Sequence, residues 1–216
     1  MNKLFGYDGI LTKASLVINT FVLTNILTLI CCIPIFTIGA AFAAHQKVMQ
    51  DFVMGNHPAI LKTYFTAFWQ NLGKATILML LFVVTAVFLA LDFYFVMLYT
   101  SGVVALVLYL VLLIVFTLIL GITACCLSLI VRYENTLGEH LRNCLYLMMS
   151  NLPRFVLMAA LTAFPVALFL FNPNLFIQLV PVWVFFGVSL LVYLQAKLML
   201  PLFETMDSTK EVATVE

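Results

Sequence analysis

One acidic residue stands alone inside a long apolar stretch of this sequence. Between Ala75 and Val131 the only charged side chain is Asp92. An acid within a membrane segment is a candidate for binding a proton, a cation or a sugar hydroxyl. At ~1.5 Å per residue from Ala75, however, Asp92 falls ~25 Å along a helix, near the boundary of a ~30 Å membrane core. A functional acid and an anchor at the membrane interface therefore both stay open.

The first apolar stretch combines polar side chains with a break. Asn25 lies near its middle among several threonines, and such residues either bond neighbouring helices or line a polar path. Pro34, Thr37 and Gly39 follow; proline lacks a backbone amide and glycine accepts strained dihedrals, so this run predicts the end of a helix. It is either a simple exit from the membrane or a broken helix that lines a cavity. The alanines of residues 40–44 predict close approach by another helix.

The remaining reactive side chains form no recognisable catalytic pattern. Glu134 and Glu204 each follow an aromatic residue and are read as solvated interfacial charges or as partners of Lys74, Arg132 or Arg154. The three histidines are interpreted as interfacial, and the five cysteines as small core residues. We predict no metal site and no cofactor because metal ions need clustered ligands. Motifs of nucleotide-binding proteins, zinc proteases and serine hydrolases are absent from the sequence, so no enzyme is predicted.

The elements that would position these residues are membrane helices. The chain has 216 residues, of which 65% are hydrophobic and 9% charged, with a formal net charge of +1. An ordinary soluble domain has ~45–50% apolar and ~25% charged residues. The composition therefore predicts an integral membrane protein in contact with the lipid bilayer and gives no sign of nucleic-acid binding. Since a span needs ~20 residues, the apolar tracts predict an all-α protein with five spans, at about 15–33, 75–98, 103–131, 154–171 and 176–200.

The distribution of positive charge predicts which side each connection faces. Lys and Arg accumulate on the cytoplasmic side of membrane proteins. With five spans and the N-terminus outside, eight of the ten positive residues fall on the inner side, whereas Lys3 and Lys13 fall outside. The opposite orientation reverses this count. We therefore expect the N-terminus outside and the C-terminus in the cytoplasm.

Two of the inner connections have the pattern of amphipathic helices. Residues 58–73 place apolar side chains on one helical face, with Pro58 at the start and Lys62 opposite. Thr136 and Glu139 have the spacing of a capping box that starts a second such helix. Both are expected to lie on the inner membrane surface. Their surface residues, and the basic residues that begin the next spans, are Lys62, Trp69, Lys74, Arg142 and Arg154.

The two amphipathic segments also resemble each other, which predicts an internal repeat. At an offset of eighty residues, Lys62 matches Arg142, and the sequence "NLGK" matches "NLPR". Each segment precedes two spans, so the two units would be parallel repeats. The predicted organisation is a leading span and connector (1–56), two repeat units (57–134 and 135–205) and a polar tail (206–216), within one transmembrane domain.

The segments "IPIFTIGAAFAAHQKV", "YFTAFWQNLGKATIL" and "LPLFE" resemble the YesL-like family of bacterial membrane proteins, whose activity is unknown. Genes of that family often lie beside genes for oligosaccharide uptake and sensing. The resemblance therefore implies an accessory or regulatory role near carbohydrate import in a bacterial cell membrane, with a sugar ABC permease or a sensor protein as the candidate partner. The alternative is a small-solute transporter or channel with a site formed by Asn25, the break at residues 34–39 and Asp92. The sequence does not define an oligomeric state.

Overall fold

The computed structural model describes residues 10–57 and 59–215, with side chains described for residues 14–57 and 59–207. Pro58 and Lys3, and the side chains of Lys13 and Lys210, lie outside this description. The described chain is all α. The helices are α1 (Ile10–Cys31), a short 3-10 turn (Ile35–Thr37), α2 (Ile38–Val53), α3 (Ile60–Tyr99), α4 (Gly102–Ile130), α5 (Leu137–Ser150), α6 (Leu152–Phe171), α7 (Pro173–Gln178), α8 (Val180–Val182), a π-helical segment (Trp183–Gly187) and α9 (Val188–Val215).

The predicted number of spans is confirmed. Five of the described helices are long and apolar enough to cross a membrane: α1, α3, α4, α6 and the segment Val180–Asp207. The last of these includes the π-helical turn, which follows Pro181. Two other prolines lie inside helices, Pro165 in α6 and Pro201 in α9.

A further helix, α2, occupies part of what the sequence suggested was a connector. The chain leaves α1 at Cys31, turns through Pro34 and re-enters a helix at Ile38. Helix α2 runs antiparallel to α1, because Thr28 contacts His45 and Phe21 contacts Phe52. Its 16 residues span ~24 Å, less than the ~30 Å of a membrane core. The break is therefore the turn of a helical hairpin.

The first amphipathic segment is not a separate surface helix, contrary to the prediction. It continues without interruption into the next span, giving a single helix of 40 residues that is ~60 Å long. One part of its apolar face, including Tyr64 and Phe68, packs against α2, whereas Leu61 and Trp69 remain exposed. The first part of α3 therefore packs against α2, and the helix as a whole is longer than the apolar tract that begins at Ala75.

The second amphipathic segment does form its own helix, α5. The predicted capping box is confirmed: the Glu139 amide donates to Thr136 Oγ1, and Glu139 Oε2 accepts from the Thr136 amide. Helix α5 ends at Ser150, with Asn151 as its C-cap, and α6 begins with Pro153 in its first turn. Proline explains the difference between the two segments, because it cannot donate to the carbonyl four residues earlier and clashes with it, whereas the aligned Gly73 leaves α3 intact.

The helix directions bring the two ends of the described chain to the same end of the bundle. Helix α1 is antiparallel to the final span: Phe21 contacts Ser189 and Tyr193, and Asn25 contacts Trp183. The start of α1 faces a groove shared with residues 57 and 59–62. The adjoining turn contacts the end of α4 through Met54 and Arg132, and Arg132 in turn binds Asp207. Helix α2 causes this arrangement, since it adds one reversal of chain direction.

Helix α2 is the centre of the packing. Its alanines 40, 41, 43 and 44 have no exposed surface, and neither do Val48 and Met49. It contacts α1, α3, α4 and α9. A second apolar core joins α4, α5, α6 and α9 through Cys126, Cys144, Met158 and Met199. The outer halves of α3 and α4, by contrast, expose almost continuous apolar surface, as expected for helices that face lipid.

Candidate functional site

A cluster of polar side chains lies buried between α1, α2 and the last span. Asn25 has no exposed surface and uses its whole amide: Nδ2 donates to the carbonyl oxygens of Trp183 (2.9 Å) and Val184 (2.6 Å), and Oδ1 accepts from the Ser189 amide (2.8 Å). Trp183 and Val184 lie within the π-helical turn and Ser189 follows it closely, where the regular helical hydrogen-bond pattern is interrupted. Asn25 therefore clamps α1 to the irregular turn through both polar atoms of its amide.

His45 is the second member of this cluster. It is fully buried, with Nδ1 2.9 Å from Thr28 Oγ1 and Nε2 3.1 Å from Ser189 Oγ. The Thr28 and Ser189 hydroxyls also lie 2.8 Å from the carbonyl oxygens of Thr24 and Phe21. Because a neutral imidazole has one donor and one acceptor nitrogen, one hydroxyl donates to its carbonyl and the other donates to the imidazole, and the network joins three helices. The interpretation of His45 as an interfacial histidine is wrong: it lies on the face of α2 that packs against α1 and α9.

The break between α1 and α2 is closed by local hydrogen bonds and tight packing. Thr37 is buried and donates to the carbonyls of Cys31 and Pro34 (both 2.6 Å), while Thr76 donates to the Phe36 carbonyl. A Cβ atom at Gly39 would overlap the Ala75 carbonyl oxygen, so only glycine lets α2 approach α3 this closely. The predicted close approach after the break is thus confirmed. Pro34 itself is exposed.

A cavity of about 190 Å³ lies beside the polar cluster, on the other side of α2. Its polar edge is a hydrogen-bonded chain in which Gln46 Nε2 donates to Gln195 Oε1 (2.8 Å) and Gln195 Nε2 donates to Thr162 Oγ1 (3.0 Å). Gln50, one helical turn further along α2, donates to the Ser128 carbonyl (2.9 Å). These glutamines connect α2 to α9, α6 and α4. Helix α2 is therefore hydrogen-bonded to three neighbouring helices inside an otherwise apolar bundle.

The three acids singled out from the sequence do not join this cluster. Asp92 is exposed on α3, seventeen residues and therefore about 25 Å beyond Ala75, which contacts Gly39. Glu134 and Glu204 are exposed as well and take part in neither ion pair found among the described side chains. Asn25, the break and Asp92 are therefore not brought together into one site.

The predicted surface residues mostly lie on the surface. Lys62 and Arg142 are exposed, and Trp69 has 68% of its surface accessible. Arg154 is half-buried. Lys74, also half-buried, donates to the Asn135 carbonyl (3.0 Å). Lys74 therefore ties α3 to the connection between α4 and α5, a link that the sequence alone did not indicate.

An ion pair that was not predicted from the sequence joins the end of α4 to α9. Arg132 binds Asp207 (2.8 Å) and stacks over the ring of Phe203, and Tyr133 donates to the same carboxylate (2.7 Å). Burial, reinforced by the hydrogen bond to Asp207, raises the pKa of Tyr133 to about 12. Burial is the largest single influence on Arg132 and works against its charge, but the interactions with Asp207 and Tyr133 together outweigh it, and the pKa of Arg132 is raised. With these raised pKa values, Arg132 is charged and Tyr133 is neutral at pH 7. The three residues together hold α4 to α9.

Two further groups of titratable residues are packing elements. His140 on α5 is fully buried, also contrary to the interfacial interpretation, and burial together with nearby Lys74 lowers its pKa. Cys126 and Cys144 have sulfur atoms 3.1 Å apart, and all five cysteines are free thiols. Within residues 14–57 and 59–207, no three His, Cys, Asp or Glu side chains are arranged to hold a metal ion.

The buried polar residues of α2 have a weak pattern in the sequence from which their burial could have been predicted. His45, Gln46 and Gln50 recur on two faces of one helix directly after the small-residue run, which is the pattern of a buried helix with polar links on both sides. The partners in the last span, Ser189 and Gln195, lie more than 140 residues away. No local pattern predicts that pairing.

The helices and their exposed apolar surface define an all-α, multi-pass membrane protein. Residues 21–93 match the model of a family described as a protein of unknown function, DUF624. The match covers α1 from Phe21 onward, all of α2 and most of α3, and thus includes Asn25, Gly39 and His45. No curated protein and no solved structure is significantly similar to the chain.

Proposed function

We propose that this chain is a non-enzymatic accessory or regulatory membrane protein that acts by binding another membrane protein. The observation that carries the proposal is an exposed apolar ridge on the first half of α3, formed by Leu61, Phe65 and Trp69. These residues recur every four positions and so lie along one side of the helix. Aromatic residues of this kind are enriched at protein interfaces.

The surroundings of the ridge favour a protein partner over lipid alone. Lys62, Thr66 and Gln70 are exposed beside it, and an apolar patch with a polar rim is typical of interaction sites. Helix α3 is ~60 Å long, about twice the thickness of a membrane core. Its purely apolar part begins only at Ala75, so the ridge belongs to the half that extends out of that layer.

The nature of the partner comes from the resemblance to the YesL-like family. That resemblance implies a bacterial cell membrane and a place beside oligosaccharide uptake, so the proposed partner is a sugar ABC permease or an associated sensor protein. The ridge would dock against a helix of this partner near the membrane surface, with Trp69 as the anchor.

Affinity purification from the native membrane tests this proposal. We expect the wild-type protein to retain a permease or sensor protein in mild detergent and the Phe65→Ser variant to lose most of it, because the ridge loses its central aromatic ring. The matched control is Phe171→Ser, which removes an exposed phenylalanine at the far end of α6. Recovery of the same partners with both variants, or of the bare wild-type protein, would contradict the proposal.

The second candidate, a small-solute transporter with a site at Asn25, the break and Asp92, has less support. Both polar atoms of the Asn25 amide are bonded to the last span. Thr37 and Thr76 bond the carbonyls of residues 31, 34 and 36 at the break, and Asp92 lies far along α3. No observation favours a common polar path through these three.

We further propose that both ends of the described chain face the cytoplasm. The orientation with the N-terminus outside assumed that residues 34–56 connect two spans on the inner side. Since α1 is antiparallel to the final span, the start of α1 and Asp207 share one side. With that side inside, the eight lysines and arginines already counted on the inner side stay there and Lys13, at the start of α1, joins them, which follows the positive-inside rule better.

Reporter fusions test the orientation directly. We expect a phosphatase that is active only outside the cytoplasm to be inactive when fused before Met1 or after Glu216, and active when inserted between Thr100 and Ser101. A fluorescent protein that folds only in the cytoplasm should give the reverse pattern. Phosphatase activity at the N-terminal fusion combined with none at the C-terminal fusion would restore the orientation predicted from the five spans alone.

A further inference from the structure

Two basic residues mark the two ends of the longest apolar tract. Lys74 directly precedes Ala75, and Arg132 directly follows Val131. Helices α3 and α4 are an antiparallel pair joined by a short turn, so both ends of the tract lie on the same side. The bond from Lys74 to the Asn135 carbonyl (3.0 Å) shows how close they are. The two cations therefore lie together where the apolar surface ends, which is the depth of lipid headgroups.

Both cations line a polar pocket of about 350 Å³. Its walls come from α3, which contributes Asn71 and Lys74, and from the connection after α4, which contributes Arg132, Tyr133 and Glu134. The volume falls within the ~300–1,000 Å³ of small-molecule sites. Polar side chains predominate in this lining, in contrast to the cavity beside α2. The pocket therefore suits a polar or charged group.

The pocket carries charges of both signs. Arg132 is balanced by Asp207, whereas neither Lys74 nor Glu134 belongs to an ion pair found among the described side chains. The Lys74 ammonium has three donors, of which the Asn135 carbonyl uses one. Glu134 is exposed. A ligand with an anionic group and a separate ammonium group would pair with both residues, and a simple anion would pair with only one.

Exposed apolar side chains continue from the pocket along α3. Ile77 and Leu81 follow Lys74 by three and seven residues, so they lie on the same side of the helix. Both are exposed. The acyl chains of a lipid whose headgroup occupied the pocket would lie against these two residues. This continuity favours a membrane lipid over a soluble molecule with the same charged groups.

We propose that this pocket binds a phospholipid headgroup that combines a phosphodiester with a primary ammonium, as phosphatidylethanolamine does. The phosphate accepts from Lys74, which adjoins the apolar tract, and from Arg132, whose five donors are only partly used by Met54 and Asp207. The ammonium donates to Glu134. Because phosphate lies nearer the acyl chains than the ammonium does, this order of contacts matches that of the lipid.

The carboxylate of Glu134 gives the site its selectivity. A choline headgroup has no hydrogen on its nitrogen and so cannot donate to this carboxylate. A glycerol headgroup carries no positive charge to balance it. The pocket is separate from the partner-binding ridge on α3, and the proposal does not depend on the proposed function.

Native mass spectrometry of the full-length protein tests the proposal. The purified protein is offered equal amounts of phosphatidylethanolamine, phosphatidylcholine and phosphatidylglycerol with identical acyl chains. We expect phosphatidylethanolamine to be bound about fivefold more than either of the others, because only its headgroup pairs with both charges. Equal binding of the three lipids would overturn the proposal. So would displacement of the lipid by an equal concentration of glycerophosphoethanolamine, which has the headgroup without acyl chains.

Glu134→Gln tests recognition of the ammonium. This variant should prefer phosphatidylethanolamine over phosphatidylcholine less than about twofold and bind phosphatidylcholine as the wild type does, because only the ammonium loses its partner. The matched control is Glu204→Gln, which changes an exposed acid that also follows an aromatic residue but lies outside the pocket. This control should keep the full preference. Loss of the preference in both variants, or in neither, would refute the role of Glu134.

Lys74→Gln tests recognition of the phosphate. Because all three lipids share this group, we expect each to be bound about fivefold less. Lys62→Gln, at an exposed lysine of the same helix outside the pocket, should bind like the wild type. Phe65→Ser should also keep the lipid preference, which separates this proposal from that of the ridge. Unchanged binding by Lys74→Gln would refute a headgroup site in this pocket.

Discussion

Replacing Gly39 by alanine is expected to lower the thermal unfolding midpoint of the protein by roughly 5 °C or more. The added methyl group would overlap the Ala75 carbonyl oxygen, a backbone atom of α3 that moves only if the two helices separate. Overpacking of this kind costs ~1–3 kcal/mol, and for a chain of this size ~1 kcal/mol corresponds to ~2–4 °C. Separation of the helices would also weaken the bond between Tyr64 and the Ala41 carbonyl. Thermal unfolding of purified protein in detergent measures the effect.

The same substitution at Gly73 provides the control. Gly73 lies inside α3, and a Cβ atom there would meet no other atom within 4 Å. Because alanine is favoured over glycine in a helix by ~1 kcal/mol, Gly73→Ala should leave the midpoint unchanged or raise it. An equal decrease for both variants would mean that the contact between Gly39 and Ala75 does not limit stability.

The second large effect is expected for Asn25→Ala, which should lower stability by about 2–4 kcal/mol. The substitution removes the partner of two carbonyls and of the Ser189 amide, all within the buried junction of α1 and the last span. Neither lipid nor water replaces these bonds there. Hydrogen exchange should also rise at Ser189, whose amide loses its acceptor. Both the unfolding midpoint and the exchange rate can be measured on one sample.

Asn71→Ala is the matched comparison. Asn71 is half-buried and bonds only to the Ala67 carbonyl of its own helix, so its loss should cost no more than ~0.5 kcal/mol. A comparable loss of stability in the two variants, or an unchanged exchange rate at Ser189 in Asn25→Ala, would show that the clamp on the π-helical turn is weak.

Gly73 and Pro153 occupy matching positions in the sequence, but only one of the two helix junctions predicted from that match is present. The matching runs "NLGK" and "NLPR" predicted equivalent junctions between a surface helix and a span. The second junction exists, and α5, the helix that leads to it, begins with the predicted capping box. At the first, no residue interrupts the helix, because a single glycine weakens helical structure by only ~1 kcal/mol and packing on α2 supports it. The internal repeat remains a prediction.

Helix α2 shows why other features could not be predicted from the sequence. Its residues are apolar enough to extend the first span and polar enough, with His45, Gln46 and Gln50, to resemble a connector at the membrane surface. Only their hydrogen bonds to α1, α4 and α9 show that the polar side chains lie inside the protein. The same helix reverses the chain, and that reversal changes the inferred side of the N-terminus.

By itself the sequence determined the class of the protein, the number of long apolar helices, the capping box of α5 and the close helix contact after residue 39. These features follow from composition, length and local spacing, which are properties of neighbouring residues. Tertiary structure alone decided that His45 is buried, that Asn25 clamps the π-helical turn, that Asp92 stands apart and that a cavity forms beside Gln46. Each depends on partners distant in the chain, and a polar side chain in a membrane helix has the same local pattern whether it faces a pore, the surface or another helix.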